Sequence, residues 1–122
     1  MGDRPRAIGF WNGAYMPAGW PEIERFVDPD WDEDERKFIV SYLNHGVLGR
    51  LYMGYSTCRV CGRKDNGDSE YSDGTFVWPS GFAHYVLEHQ VRPPDEFVQH
   101  AINMTTSLEG ERDESWWRGF AQ

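Results

Sequence analysis

The spacing of apolar residues along the chain predicts three helices and two shorter helical turns. Apolar side chains recur three and four positions apart in the segments 33–44, 81–89 and 94–104. Asp32 and Ser80 are candidate N-caps for the first two helices, because their side-chain oxygens can accept from free N–H groups of the first turn. The shorter turns are expected over 21–26 and after Asp113, with a loop over 105–113. The residues expected to face inward are Phe38, Ile39, Tyr42, Leu43, Phe82, Tyr85, Val86, Phe97, Val98, Ala101 and Ile102.

A different pattern, in which apolar and polar residues alternate, predicts strands between these helices. We expect a strand over 47–57, because alternation puts every second side chain on the same face. Its apolar side would be formed by Leu51, Met53 and Tyr55. The segments 69–71 and 75–78 flank Asp73-Gly74, and this turn chemistry predicts a β-hairpin.

The first twenty residues follow neither period and are predicted to form an irregular N-terminal arm. They are rich in glycine and aromatic residues, and we expect the arm to pack its rings against the rest of the protein. These rings are Phe10, Trp11, Tyr15 and Trp20.

Composition and length indicate a chain that folds as one domain, over residues 1–122. Apolar residues make up 39% of the chain and aromatic residues 16%, which is too much bulky apolar mass for a disordered protein. No apolar run approaches the roughly 18 residues that span a bilayer. The first residues also lack the apolar stretch of a secretory signal, so we expect a cytoplasmic protein with no membrane partner.

The net charge of -8 is distributed unevenly along the chain. Residues 1–35 have a net charge of -6, residues 36–64 of +6, and residues 65–122 of -8. The acidic total argues against a dedicated duplex-DNA-binding protein. The basic residues of the middle segment either form an anion-binding face or pair with the chain's own acidic groups. They are Arg36, Lys37, Arg50, Arg59, Arg63 and Lys64.

The two cysteines, in a Cys-x-x-Cys motif, predict a metal site. Cys58 and Cys61 are followed, after 22 residues, by His84 and, five residues later, by His89. Two thiolates and two imidazoles are a tetrahedral ligand set for Zn²⁺, and Gly62 suits the positive φ that completes such a zinc knuckle. Five residues correspond to about 140° around a helix. Both histidines can therefore reach one ion only if His89 lies in a frayed or 3₁₀ last turn.

The cysteines and histidines have other interpretations. A redox dithiol should open a helix, which lowers the thiol pKa, whereas Cys61 is followed by turn residues; chance spacing is the remaining alternative. His45 and His100 are spare ligand candidates, each also typical of a helix cap or a surface residue. No catalytic or cofactor-binding residue is predicted, because the motifs of metallopeptidases, zinc deaminases and phosphate-binding loops do not match this sequence.

With the zinc knuckle included, the expected architecture is α+β: a small antiparallel sheet and the knuckle packed against three to four helices.

Three sequence segments also resemble a group of small bacterial proteins. They are the knuckle CxxCG, the DGxxxWPxGxAHYxxxxH segment that ends at His89, and the following VRxPxEF segment. The resemblance covers roughly residues 26–101. It implies a bacterial cytosolic protein and supports pairing the knuckle with these histidines, but it implies no reaction, substrate or partner.

Three functions are compatible with a metal-stabilised domain of this kind. The favoured one is a protein-interaction module, an adaptor or inhibitor of a basic protein, because acidic charge and abundant aromatic residues are typical of interfaces. The alternative is single-stranded nucleic-acid binding, in which Arg59, Arg63 and Lys64 contact phosphates while Tyr52 or Tyr55 stacks on a base. The third is a zinc hydrolase, which requires one of the four ligands to be wrong so that the ion has an open position.

Overall fold

The computed structural model describes residues 4–12, 19–110 and 114–121, without the side chains of 108–110. Its strands are β1 (Arg6–Ala7), β2 (Val47–Leu51), β3 (Ser69–Ser72) and β4 (Phe76–Pro79). Its α-helices are α1 (Glu33–Asn44), α2 (Phe82–His89), α3 (Asp95–Gly110) and α4 (Ser115–Arg118), with 3₁₀ turns at Ile23–Phe26 and Gly119–Ala121. These elements confirm the α+β class with a small sheet and several helices.

The four strands form one sheet in the order β1-β4-β3-β2. The central hairpin pairs β3 with β4 in antiparallel register, with Tyr71 opposite Trp78, and β2 pairs antiparallel with β3. The sheet is nevertheless mixed, because β1 pairs parallel with β4. This short strand lies in the predicted arm, where no period of strand or helix marks it.

The hydrophobic core lies between the sheet and the helices. α1 packs against α2 and α3, and Trp78 of β4 donates from Nε1 to the Leu43 carbonyl oxygen at 3.1 Å. The buried residues include Ile39, Leu43, Phe82, Tyr85, Val86, Phe97, Val98 and Ala101, while Phe38, Tyr42 and Ile102 are partly buried against them. The inward faces predicted for the three helices are therefore correct. The apolar side predicted for the strand after α1 does not pack, because Leu51, Met53 and Tyr55 are exposed.

Turn and cap chemistry explains where several elements begin. Asp32 accepts from the Glu35 N–H at 2.9 Å and caps α1, as predicted. In the hairpin, Asp73 Oδ1 accepts from the Thr75 and Phe76 N–H groups at 2.9 and 2.7 Å, and Gly74 adopts a φ of +91°. These contacts fix the turn between β3 and β4 and confirm the Asp-Gly prediction.

The boundaries predicted for three elements were wrong. The N-cap of α2 is Gly81 without a side-chain bond, because the Ser80 hydroxyl instead accepts from the Ser69 N–H at 3.3 Å. α3 continues to Gly110 through the predicted loop. The strand predicted to reach residue 57 ends at Leu51, which lies opposite Ser69, the first residue of β3.

The predicted packing of the arm is confirmed where the structure describes it. Phe10 stacks on Trp20 with ring centroids 5.2 Å apart, and Trp11 is buried in the core. Tyr15 and the candidate cap Asp113 lie outside the described residues.

Candidate metal centre

The two cysteines lie in a tight backbone turn that follows β2. The Cys58 N–H donates to the Arg63 carbonyl oxygen at 2.8 Å, and the Gly62 N–H donates to the Cys58 carbonyl oxygen at 3.0 Å. Gly62 adopts a φ of +79°, as the sequence predicts. The N–H groups of Val60 and Cys61 lie 3.4 and 3.5 Å from Cys58 Sγ. The backbone of the turn therefore presents its amide dipoles to one sulfur.

The two histidines are carried by the short helix α2. His84 lies in its first turn, and His89 is its last residue. The next residue, Gln90, has a φ of +54° and ends the helix in a left-handed conformation. The imidazole rings lie with centroids 5.0 Å apart. Both rings thus lie close together despite their separation of five residues. The frayed or 3₁₀ last turn predicted for this was wrong, because His89 is still α-helical.

Together the four residues form a cluster of potential metal ligands. Cys58, Cys61, His84 and His89 each offer one ligand atom, and these four atoms all lie within 4.8 Å of one another. The Cys61 Sγ and His84 Nε2 atoms lie 3.4 Å apart. Both cysteines are free thiols, so the four donors are available to hold a metal ion.

The state of His89 supports this interpretation of the cluster. Its Nε2 atom is buried and has no hydrogen-bond partner among the described residues. A buried polar nitrogen without a partner is costly, and a ligated metal ion removes that cost. The unpartnered nitrogen is thus compatible with a cluster that could hold a metal ion.

Local electrostatics favour the protonation states that bind metals. Burial raises the pKa of the Cys58 thiol, but the N–H groups of Cys61 and Val60 outweigh it, so that this pKa lies below its ordinary value. Burial, followed by the charges of His89 and Arg63, lowers the pKa of His84. Thiolate and neutral imidazole are the forms that coordinate metals.

Tyr85 connects the knuckle to α2 beneath the cluster. Its hydroxyl oxygen accepts from the Arg59 N–H at 2.9 Å, and the hydroxyl also hydrogen-bonds to Cys58. The ring is buried, and burial raises the pKa of its hydroxyl. The sequence assigns Tyr85 only to the apolar face of α2. Its position next to His84 was the one signal that it could orient a ligand.

A close backbone approach fixes where α2 begins relative to the knuckle. Asn66, which follows the knuckle, is buried, and a Cβ at Gly81 would collide with its backbone oxygen. Gly67 adopts a φ of +85°, and a Cβ there would lie 2.6 Å from the Gly81 nitrogen. The two glycines allow the segments to touch, and this contact sets the position of the histidine-bearing helix.

The spare histidine candidates lie elsewhere. His45 Nδ1 is 2.6 Å from the Ser41 carbonyl oxygen at the end of α1. His100 Nε2 is 2.9 Å from Asp73 Oδ2. Neither residue belongs to the cluster.

Some basic residues of the middle segment, 36–64, form ion pairs with acidic groups of the chain. Lys37 forms an ion pair with Glu33 at 3.2 Å, and Arg63 with Asp65 at 2.8 Å. Arg59 and Lys64 are exposed on and beside the knuckle.

No helix within the described ranges is long and apolar enough to cross a membrane.

Comparisons of the chain with protein-family models, with curated proteins and with solved structures found no match. The function of the chain is therefore inferred from its metal-ligand cluster and its surface.

Proposed function

We propose that the cluster binds one Zn²⁺ ion and that this ion is structural. Two thiolates and two imidazoles form a soft, mixed N/S set that suits tetrahedral zinc. Four protein ligands complete that coordination sphere and leave no position for a reactive water. The orphaned, buried Nε2 atom of His89 is the observation that supports a fourth protein ligand most directly.

The proposed ion stabilises the fold by connecting two distant parts of it. It would join the knuckle after β2 to both ends of α2, across the 22 residues that separate Cys61 from His84. Because the site does not exist in the unfolded chain, the free energy of binding contributes to folding.

We further propose that the zinc-stabilised domain is a protein-interaction module, an adaptor or inhibitor. The observation that carries this proposal is a C-terminal aromatic cluster made of Trp116, Trp117 and Phe120. Their side chains are 70%, 71% and 66% exposed, and the rings contact one another with centroids 5.1–6.2 Å apart. Large exposed aromatic groups are typical of the residues that dominate binding energy at interfaces.

Charge indicates the kind of partner. The segment 109–118 around the C-terminal aromatic cluster has four acidic and two basic residues, a net charge of -2. One of the acidic residues, Glu114, forms an ion pair with Arg118 at 2.7 Å. The whole chain has a net charge of -8. A protein surface that combines basic residues with an apolar pocket is complementary to this segment.

Comparative affinity capture tests the interaction proposal. The wild-type protein, the double variant W116A/W117A and the control Met53→Ala would be used as baits, because Met53 is a fully exposed apolar residue outside the aromatic cluster. We expect at least one basic protein to be captured by the wild type and the control and lost with the double variant. Identical captured proteins for all three baits would contradict the proposal.

The exposed knuckle supports a second candidate, single-stranded nucleic-acid binding. Arg59, Lys64 and Tyr55 are all exposed in or near it. Tyr52 is less suited to stacking, because its hydroxyl donates to Glu70 Oε2 at 2.9 Å. Binding of single-stranded RNA or DNA that weakens steeply with salt would favour this function, and no binding at low salt would exclude it.

The hydrolase alternative depends on the number of protein ligands. It requires one of the four residues to lie off the metal, so that a water takes its place. A His89→Ala protein that keeps both its metal and its fold would favour this alternative over a structural zinc.

A further inference from the structure

A cavity of about 410 Å³ lies away from the metal-ligand cluster, among α1, the start of β2, the β3–β4 hairpin and α3. Its volume falls within the range of roughly 300–1,000 Å³ that is typical of small-molecule sites. None of the four metal-ligand candidates lines it. The cavity can therefore hold a ligand independently of the metal.

The walls of the cavity are largely aromatic. Phe38, Tyr42 and Trp78 line it together with Met104. Tyr42 and Trp78 lie with ring centroids 6.2 Å apart, and the Trp78 indole is held by its bond to the Leu43 carbonyl oxygen. Aromatic faces attract cations as well as apolar groups.

One end of the cavity contains a buried carboxylate. The side chain of Asp73 is 8% exposed, and its Oδ2 atom accepts from the Tyr42 hydroxyl and lies 2.9 Å from His100 Nε2. Burial raises the pKa of Asp73, but the bonds from Tyr42, Phe76, Thr75 and His100 outweigh it and hold this pKa below its ordinary value. The carboxylate is therefore ionised at neutral pH.

Most polar side chains that line the cavity have acceptor atoms left for a ligand. The Ser72 and Thr105 hydroxyls donate to the Phe76 and Ala101 carbonyl oxygens at 2.8 and 2.9 Å, whereas the Ser41 hydroxyl can donate or accept. The Tyr42 hydroxyl donates its only hydrogen to Asp73, so its oxygen can only accept from a further partner. His45 Nδ1 lies 2.6 Å from the Ser41 carbonyl oxygen and carries the hydrogen of that bond, since a carbonyl can only accept. No Lys or Arg is found among the described residues that line the cavity. The site thus offers negative charge and acceptors to its ligand.

We propose that this cavity binds a small organic ammonium ion with an aromatic or aliphatic body. The ammonium group donates to the Tyr42 hydroxyl oxygen near the Asp73 carboxylate, and the body packs between Phe38 and Met104. A carboxylate or phosphate ligand would meet the buried charge of Asp73 without a cationic partner. A neutral alcohol would gain the acceptor contacts but not the attraction of the carboxylate and the aromatic faces.

Titration with a matched pair of probes tests the proposal. Phenethylamine and 2-phenylethanol have the same aromatic body and differ in the charge of the donor group. At pH 8, where the amine is charged, we expect saturable shifts of the Val47 and Met104 amides in ¹H–¹⁵N spectra with phenethylamine. The alcohol should bind about tenfold more weakly, as expected when a hydrogen bond involves a charged group.

Two variants and one control separate this site from weak attraction to an acidic surface. Tyr42→Phe removes the acceptor and should weaken phenethylamine binding about tenfold. Ser41→Lys, an exposed substitution that a helix tolerates, places a competing cation at the cavity and should abolish binding. Tyr52→Phe removes a comparable bond to a carboxylate, Glu70, outside the cavity and should leave binding unchanged.

Several outcomes would overturn the proposal. These are the absence of saturable shifts, equal affinity for the amine and the alcohol, or equal weakening by Tyr42→Phe and Tyr52→Phe.

Discussion

The Nε2 atom of His84 lies 3.4 Å from the Sγ atom of Cys61, although the two residues are 23 positions apart and belong to a helix and to a turn. No direct chain connection imposes this distance. It results from the packing of α2 onto the knuckle, where Tyr85 and the glycine contact with Asn66 hold the two together.

Removal of one ligand should release the metal and destabilise the fold. We expect His84→Ala and Cys61→Ser to lose bound zinc and to lower the melting temperature by at least about 10 °C, the shift that roughly 3 kcal/mol produces in a domain of this size. Metal content and thermal unfolding measured on the same samples check this. His45→Ala is the matched control and should retain its metal. A His84→Ala protein with wild-type metal content and melting would contradict the site.

Loss of the Tyr85 hydroxyl should weaken the metal site without emptying it. Tyr85→Phe removes the hydrogen bond to Cys58 and the acceptor for the Arg59 N–H. Groups that orient a ligand in this way typically change metal affinity roughly 10–100-fold, and competition with a chromophoric chelator measures it. Tyr52→Phe removes a comparable hydroxyl–carboxylate bond, to Glu70, that involves none of the four metal-ligand candidates. It should alter stability by about 1 kcal/mol but not the affinity for metal. Equal affinities for all three proteins would argue against a role for Tyr85.

The contact between Gly81 and Asn66 should tolerate no side chain. A Cβ at Gly81 would lie 2.8 and 2.9 Å from the Asn66 Cγ and Nδ2 atoms and would also collide with its backbone oxygen. Gly81→Ala should therefore lower the free energy of unfolding by about 1–3 kcal/mol. Gly54→Ala is the control, because no atom lies within 4 Å of a Cβ at that position. Urea denaturation compares them, and equal midpoints would show that the two segments separate easily.

Asp73 should make stability depend on pH at the acidic end. Tyr42 from α1 and His100 from α3 face its carboxylate, and its pKa in the folded protein lies below the ordinary value. A lowered folded-state pKa means that the stabilisation is complete above the unfolded pKa, about 3.9, and is lost as the pH falls towards the folded pKa.

Denaturation of the wild type and of Asp73→Asn at pH 5, 4 and 3 isolates this contribution, since other acid-sensitive groups, including the metal ligands, are common to both. The free energy of unfolding of the wild type should exceed that of Asp73→Asn by a smaller amount below about pH 4 than at pH 5. A difference that stays constant from pH 5 to pH 3 would show that Asp73 does not carry the dependence.

The elements that local sequence dictates were predictable. Asp32 marks the start of α1 because it can cap the helix, and Asp73-Gly74 marks the hairpin because Gly74 can adopt a positive φ. The four members of the metal-ligand cluster were also predictable, because ligand chemistry restricts the choice to two cysteines and four histidines.

The features that depend on tertiary contacts could not be predicted from the sequence. β1 is a two-residue strand, and it forms only because β4 offers a free edge. Strand β2 ends early, opposite the first residue of its partner β3, and Ser80 fails as a cap because Ser69 competes for its hydroxyl. The role of Tyr85 at Cys58 depends on how α2 meets the knuckle, which no local pattern encodes.

The metal content of the protein, purified without added metal and measured by elemental mass spectrometry, tests the central claim most directly. We expect about one zinc per chain in the wild type and none in the double variant C58S/C61S, as a single closed site requires. A wild-type protein free of zinc, or a double variant that keeps it, would contradict the proposed metal centre.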